Sequence, residues 1–147
     1  MHIAIASDHG GFSLKGEIAK LLKSTGHTCH DMGPQDGSAV DYPDYAQRVA
    51  TAVAGGLFDR GILICGTGQG MAITANKVKG IRAAVCQDTY SARMSREHND
   101  ANVLCMGQRV VGPGLAADIV KTWMKAEFSG EERHSRRVAK ISALEHE

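Results

Sequence analysis

The sequence predicts an α/β fold in which a five-stranded parallel sheet, in the order 2-1-3-4-5, is covered by helices on both faces. Two observations predict it. Short apolar runs, too short for helices, alternate along the chain with longer segments whose apolar residues recur at helical spacing. The run Gly61-Ile62-Leu63-Ile64-Cys65 is followed directly by Gly66-Thr67-Gly68-Gln69-Gly70, a glycine-rich link between a buried strand and a helix. No internal repeat, low-complexity tract or linker interrupts the pattern, so residues 1–147 are expected to form one domain.

Taken in order, His2 to Ser7 reads as the first strand. Leu14, Ile18, Leu21 and Leu22 then form a helical stripe that Gly26 stops. Thr28 to Met32 is a second strand. Glycine, proline, serine and aspartate mark a loop from Gly33 to Tyr42. Pro43 suits a helix start, with Tyr45, Val49, Ala52 and Val53 as its apolar stripe. After the glycine loop a helix is expected to reach Lys77, and Ile81 to Cys86 is the fourth strand. Asp88 or Thr89 caps a helix to about Glu97, and Val103 to Met106 is the fifth strand. Pro113 opens a helix burying Leu115, Ile119, Val120 and Trp123. Gly130 precedes a last helix with Val138, Ile141 and Leu144 on one side.

Composition narrows the function classes. The 43% apolar and 22% charged fractions are ordinary for a globular protein. A formal net charge of +1 gives no reason to expect nucleic acid or a membrane surface as partner. No apolar run approaches the length of a membrane span, and the N-terminus lacks the pattern of a secretory signal. Cys29, Cys65, Cys86 and Cys105 show no C-x-x-C spacing and sit in or beside apolar runs, which suits reduced thiols in the cytoplasm. No His, Cys, Asp or Glu grouping has metal-ligand spacing.

The chemistry is expected at the glycine loop. Glycines between a strand and a helix leave backbone N–H groups free where the helix dipole adds partial positive charge, which favours an anion. A 2-1-3-4-5 sheet reverses its order between the first and third strands, so Asp8-His9-Gly10-Gly11 and the Cys65 loop meet in one crevice. The loop lacks the Gly-Lys-Ser/Thr ending of a P-loop, and Met71 stands where a dinucleotide fingerprint needs its third glycine. Asp88 lies at a suitable distance for a ribose contact, which leaves a nucleotide-binding module open as an alternative. Arg133 and Arg137, four apart on a helix, share a face; they form either a phosphate clamp or a solvated charged surface. His98 ends a helix, where it is either a surface cap or a functional group.

Several stretches resemble type B ribose-5-phosphate isomerases from end to end. They are Asp8-His9-Gly10-Gly11, Asp41-Tyr42-Pro43, Cys65-Gly66-Thr67-Gly68-x-Gly70, Ala75-Asn76-Lys77, Gly80-Ile81-Arg82-Ala83, Glu97-His98-Asn99-Asp100-Ala101-Asn102, Gly107-x-Arg109-Val110-Val111-Gly112 and Arg133-His134-x-x-Arg137. The resemblance implies a Rossmann-like three-layer α/β/α sandwich, a homodimer or a dimer of dimers, a phosphorylated sugar as substrate, and neither metal nor organic cofactor. It assigns Cys65 as the base that moves a proton between C2 and C1, in the branch of the family that uses a cysteine. Thr67 then assists proton movement between the two oxygens, the N–H groups of Gly66 to Gly70 hold the enediolate, and His98 opens the furanose ring. Asp8, Tyr42 and Asn99 correspond to sugar contacts, and His9, Arg109, Arg133 and Arg137 to the phosphate end. Gln69 occupies a variable loop position. Isomerases of other sugar phosphates, including galactose 6-phosphate, belong to the same wider family.

Overall fold

The computed structural model describes residues 1–146. Its strands are β1 (His2–Ser7), β2 (Thr28–Asp31), β3 (Arg60–Cys65), β4 (Ala83–Val85) and β5 (Val103–Gly107). Its helices are α1 (Phe12–Ser24), α2 (Tyr42–Ala54), α3 (Gln69–Ala75), α4 (Thr89–Glu97), α5 (Pro113–Lys125) and α6 (Glu132–Ala143). The caps follow the local chemistry. Pro43 lies in the first turn of α2 and Pro113 in that of α5. Asp88 caps α4 by accepting the Ser91 N–H at 2.6 Å.

All strand pairings are parallel, and the sheet order is β2-β1-β3-β5-β4. The expected order 2-1-3-4-5 is therefore corrected at its last two strands. Burial supplies the reason. The run Val103-Leu104-Cys105-Met106 is apolar throughout and every residue of β5 is buried, whereas the three residues of β4 are only half-buried. The more apolar strand takes the interior position beside β3, and the short Ala-Ala-Val strand takes the edge.

This order also settles the layers. A right-handed return from β4 to β5 carries α4 to the face opposite α3. Ile3, Ile5, Ile62, Ile64, Leu104 and Met106 accordingly pack against α1, α4 and α5. The alternate residues Ala4, Ala6, Leu63, Cys65, Val103 and Cys105 pack against α2 and α3. Period-two alternation thus feeds two cores, and Cys65 points to the α2/α3 side.

Three apolar stripes differ from expectation. In α2 the inward residues are Ala46, Val49, Ala50 and Val53, with Tyr45 and Ala52 at the margin, because small alanines let the helix lie close to the sheet. In α5 Leu115 remains 42% exposed, since Ala116 takes the inward position of the first turn. On α6 Ile141 is exposed, Val138 is half-buried and His134 is the buried residue, and Leu144, in the short 3-10 turn that follows, is exposed as well.

Trp123 is fully buried in the α1/α5 core. Burial of a large aromatic side chain contributes roughly 4–6 kcal/mol before entropic costs. Arg60, at the start of β3, donates through Nη1 to the Trp123 carbonyl at 3.0 Å and the Met124 carbonyl at 3.3 Å, placing a cation at the C-terminal end of α5. Burial first, and the neighbouring Arg96 guanidinium next, lower its pKa to about 10, so it stays charged at neutral pH.

Candidate active site

The C-terminal edge of the sheet carries the glycine loop. Cys65 ends β3, is 5% exposed, and its Sγ accepts the Gly68 N–H at 3.1 Å. Gly68 has φ +83°, a left-handed conformation that side chains with a Cβ rarely adopt. The corrected strand order brings Gly107 beside Cys65 in register. A Cβ on Gly107 would lie 2.6 Å from Thr67 Cα, so the loop lies directly on the end of β5. The Thr67 Oγ1 accepts the Gln69 N–H at 3.3 Å, leaving its own hydroxyl proton for another acceptor.

The turn after β1 meets the loop after β3, as the sequence predicts. Asp8 is buried and its Oδ1 accepts the Gly11 N–H at 3.1 Å, while a Cβ on Gly10 would come 3.3 Å from the Gly66 nitrogen. The turn after β1 therefore abuts the loop after β3. His9 is exposed and its Nδ1 faces the Val40 N–H at 3.3 Å. The Tyr42 ring lies against Gly70, where an added Cβ would come within 2.5 Å of it. Arg109 follows β5; its N–H donates to the Gly66 carbonyl at 3.1 Å and its side chain runs past Gly66. Asp8, His9, Tyr42, Cys65, Thr67, the loop from Gly66 to Gly70 with Gln69, and Arg109 thus share one edge.

His98, Asn99, Arg133 and Arg137 do not join them within one chain. Helix α4 starts beside the end of β4 and runs back to the beginning of β5, so its C-terminus lies at the opposite edge of the sheet. The Gly61 N–H at the start of β3 donates to the Asn102 carbonyl at 2.9 Å, which fixes that edge. The six residues of β3 separate the two edges by about 17 Å. Helix α6 joins the His98 side: the Ser129 N–H donates to the Glu97 carbonyl at 3.0 Å, and the His134 ring stacks on His98 with centroids 4.1 Å apart. Arg133 is exposed and paired with Glu131 at 3.1 Å, and Arg137 is exposed beside it on α6. The residues expected at the site thus fall into two groups on opposite edges of the sheet.

Two residues to which the motifs assigned no role lie beside these groups. His134 is 4% exposed, and its Nε2 has no hydrogen-bond partner among the described residues. Burial, then His98 and Arg133, lower its pKa from the ordinary imidazole value. It stood in the quoted Arg133-His134 motif but had no role of its own. Gln87, after β4, reaches the glycine loop; a single glutamine carries no sequence signal.

The thiols differ in surroundings. Burial pushes those of Cys29, Cys86 and Cys105 above their ordinary value. Cys65 is the one aimed at a loop N–H. The dinucleotide alternative loses its support. Met71 is fully buried in the core, and Asp88 spends its carboxylate on Ser91, whose backbone and hydroxyl bonds hold it below the usual carboxylate range. Among the described residues no cluster of three or more His, Cys, Asp or Glu could hold a metal ion, and no helix is long and apolar enough to cross a membrane.

Residues 3–141 match the Ribose/Galactose Isomerase family. The chain belongs to that family. It is 53% identical over 143 residues to the ribose-5-phosphate isomerase B of Escherichia coli K12, covering 97% of this chain and 95% of that protein. It is similar in structure to the ribose-5-phosphate isomerase B of Clostridium thermocellum, with TM-score 0.97, 60% identity and coverage of 99% and 98% of the two chains. A structure of the Mycoplasma genitalium ribose-5-phosphate isomerase B with bound ribulose 5-phosphate gives TM-score 0.96 at 44% identity, covering 99% and 97%. Within the ribose/galactose isomerase family, the relatives agree with the type B resemblance of the motifs.

Proposed function

We propose that this chain is a cytoplasmic ribose-5-phosphate isomerase that interconverts ribose 5-phosphate and ribulose 5-phosphate through an enediolate, without a cofactor. The observation that carries the reading is the Cys65 thiol at the strand-order reversal, with a loop N–H 3.1 Å from its sulfur. In the open-chain sugar the Cys65 thiolate takes the C2 proton, leaving negative charge spread toward the C1 oxygen. Backbone N–H groups of the Gly66 to Gly70 loop that are not already given to Cys65 Sγ and Thr67 Oγ1 meet that charge, and oriented donors stabilise it. The same sulfur returns the proton to C1, and the Thr67 hydroxyl shuttles a proton between the two oxygens. Asp8 and Tyr42 hold sugar hydroxyls, Gln69 borders the sugar at the head of the loop, and His9 and Arg109 face the phosphate.

His98, Asn99, Arg133 and Arg137 complete the site from a second copy of the chain. The 17 Å separation of the edges, about the length of β3, supports this reading. So does the apolar side of α6 and the turn after it, where Ile141 and Leu144 are exposed on their own chain. Dimerisation would bury that side and bring each His98 edge to the partner's Cys65 edge. His98 then transfers the proton that opens the furanose ring, Asn99 contacts the sugar, and the two arginines clamp the phosphate away from the reacting carbons. Binding energy at the phosphate positions C1 and C2 for proton transfer.

Parallel measurement of kcat/KM for ribose 5-phosphate, allose 6-phosphate and galactose 6-phosphate tests the substrate. The expected result is a preference of about 10-fold or more for the five-carbon sugar; a larger value for either six-carbon sugar would reassign the enzyme within the family. His98→Asn is expected to slow turnover of ring-closed ribose 5-phosphate by about 10²-fold and to leave an open-chain analogue nearly unaffected. Equal losses on both would remove ring opening from His98.

A further inference from the structure

The peptide group between Thr67 and Gly68 is held from both ends. Its N–H faces Cys65 Sγ at 3.1 Å. Its carbonyl accepts a hydrogen bond from Gln87 Nε2 at 2.8 Å. The other end of the Gln87 amide, Oε1, faces the Gly107 N–H at 3.4 Å. The orientation of that amide follows from its partners, since turning it over would set oxygen against the Thr67 carbonyl and NH₂ against an N–H.

The backbone makes this grip consequential. Gly68 has φ +83° and ψ −13°, the values of the third residue of a type II turn. Rotating the preceding peptide by half a turn converts type II to type I, and glycine accepts either conformation at little steric cost. In the rotated form the Thr67 carbonyl, not the Gly68 N–H, would face the sulfur. A donor to a developing thiolate would be replaced by an oxygen that repels it. Only one of the two orientations offers the carbonyl to Gln87.

We propose that Gln87 is a positioning residue that fixes the direction of the Thr67–Gly68 peptide and thereby the hydrogen bond offered to Cys65. It acts through the loop, from the end of β4, and its effect on turnover rests on the reading of Cys65 as the base. Its effect on the thiol itself does not.

The test uses the intact protein with Gln87→Met, which keeps length and removes both contacts, and Gln87→Glu, which sets a carboxylate against the Thr67 carbonyl. Iodoacetamide alkylation of Cys65 is followed by mass spectrometry of its peptide, alongside steady-state kinetics and thermal melting. Near pH 7.5 the Cys65 rate is expected to fall about 3- to 10-fold in Gln87→Met and further in Gln87→Glu. At about pH 10, where thiols ionise without help, the rates should converge on that of the parent. The kcat should fall about 10-fold with KM within about twofold, and melting should shift only slightly. Parental alkylation rates in both variants overturn the proposal, whatever kcat does. Slowed alkylation with unchanged kcat keeps Gln87 as the positioning residue and removes Cys65 as the base.

Discussion

Cys65→Ala is expected to retain its fold and its affinity for ribose 5-phosphate and to lose about 10²–10⁴-fold in kcat. The sulfur sits where β3 ends, in the crevice with the turn after β1, and it is the thiol to which a loop N–H points. Removing it takes away the proton acceptor and leaves the amides, Arg109 and the sugar contacts in place. Binding is therefore spared while the step that needs a base is not. Replacement of one small, nearly buried side chain by another keeps the α2/α3 core closed, so melting separates a chemical loss from unfolding. Cys65→Ser should be almost as inactive, because a hydroxyl of ordinary acidity has almost no anionic form at neutral pH. Near-normal kcat in Cys65→Ala would reduce Cys65 to a buried thiol and transfer the proton step to another group.

The crevice after β1 and β3 was legible because each strand is a short apolar run and each turn carries glycine. The caps of α4 and α5 were legible for similarly local reasons, in Asp88 and Pro113. Strand order was not, since neighbours in a parallel sheet are chosen by competition for the interior. Only the contrast between Val103-Leu104-Cys105-Met106 and Ala83-Ala84-Val85 pointed to the answer. That order matters to the chemistry, because it sets Gly107 and Arg109 against the Cys65 loop. The resemblance set His98 and Cys65 around one sugar and implied that residues of both chains meet there, but it left open which residues come from the partner. His98 follows a helix and Cys65 ends a strand. In a parallel sheet those positions fall on opposite edges, a consequence of chain direction that residue types do not reveal. Gln87 was invisible for a different reason, since its role depends on the angle of one peptide group.

Arg137→Ala is expected to weaken binding of ribose 5-phosphate by about 10- to 150-fold, because charge-assisted hydrogen bonds to a phosphate contribute roughly 1.5–3 kcal/mol each. An unphosphorylated sugar should notice little. The sharper experiment asks whose phosphate Arg137 holds. In a two-fold dimer each contact between two surfaces occurs twice, so a chain's Cys65 edge and its His98 edge belong to different sites. An Arg133→Ala/Arg137→Ala chain keeps Cys65, and a Cys65→Ala chain keeps both arginines; each alone forms only defective sites. Coexpressed in equal amounts, half of the dimers are mixed, and each mixed dimer has one site with Cys65 and both arginines intact. Its other site carries all the substitutions. Activity should therefore return to about a quarter of the parental value per chain, the statistical expectation for one good site in half of the dimers. If Cys65 and the arginines served the same site from one chain, every site in a mixed dimer would keep one defect. No activity would return, and the 17 Å between the edges, about the length of β3, would have to be closed by movement within a single chain.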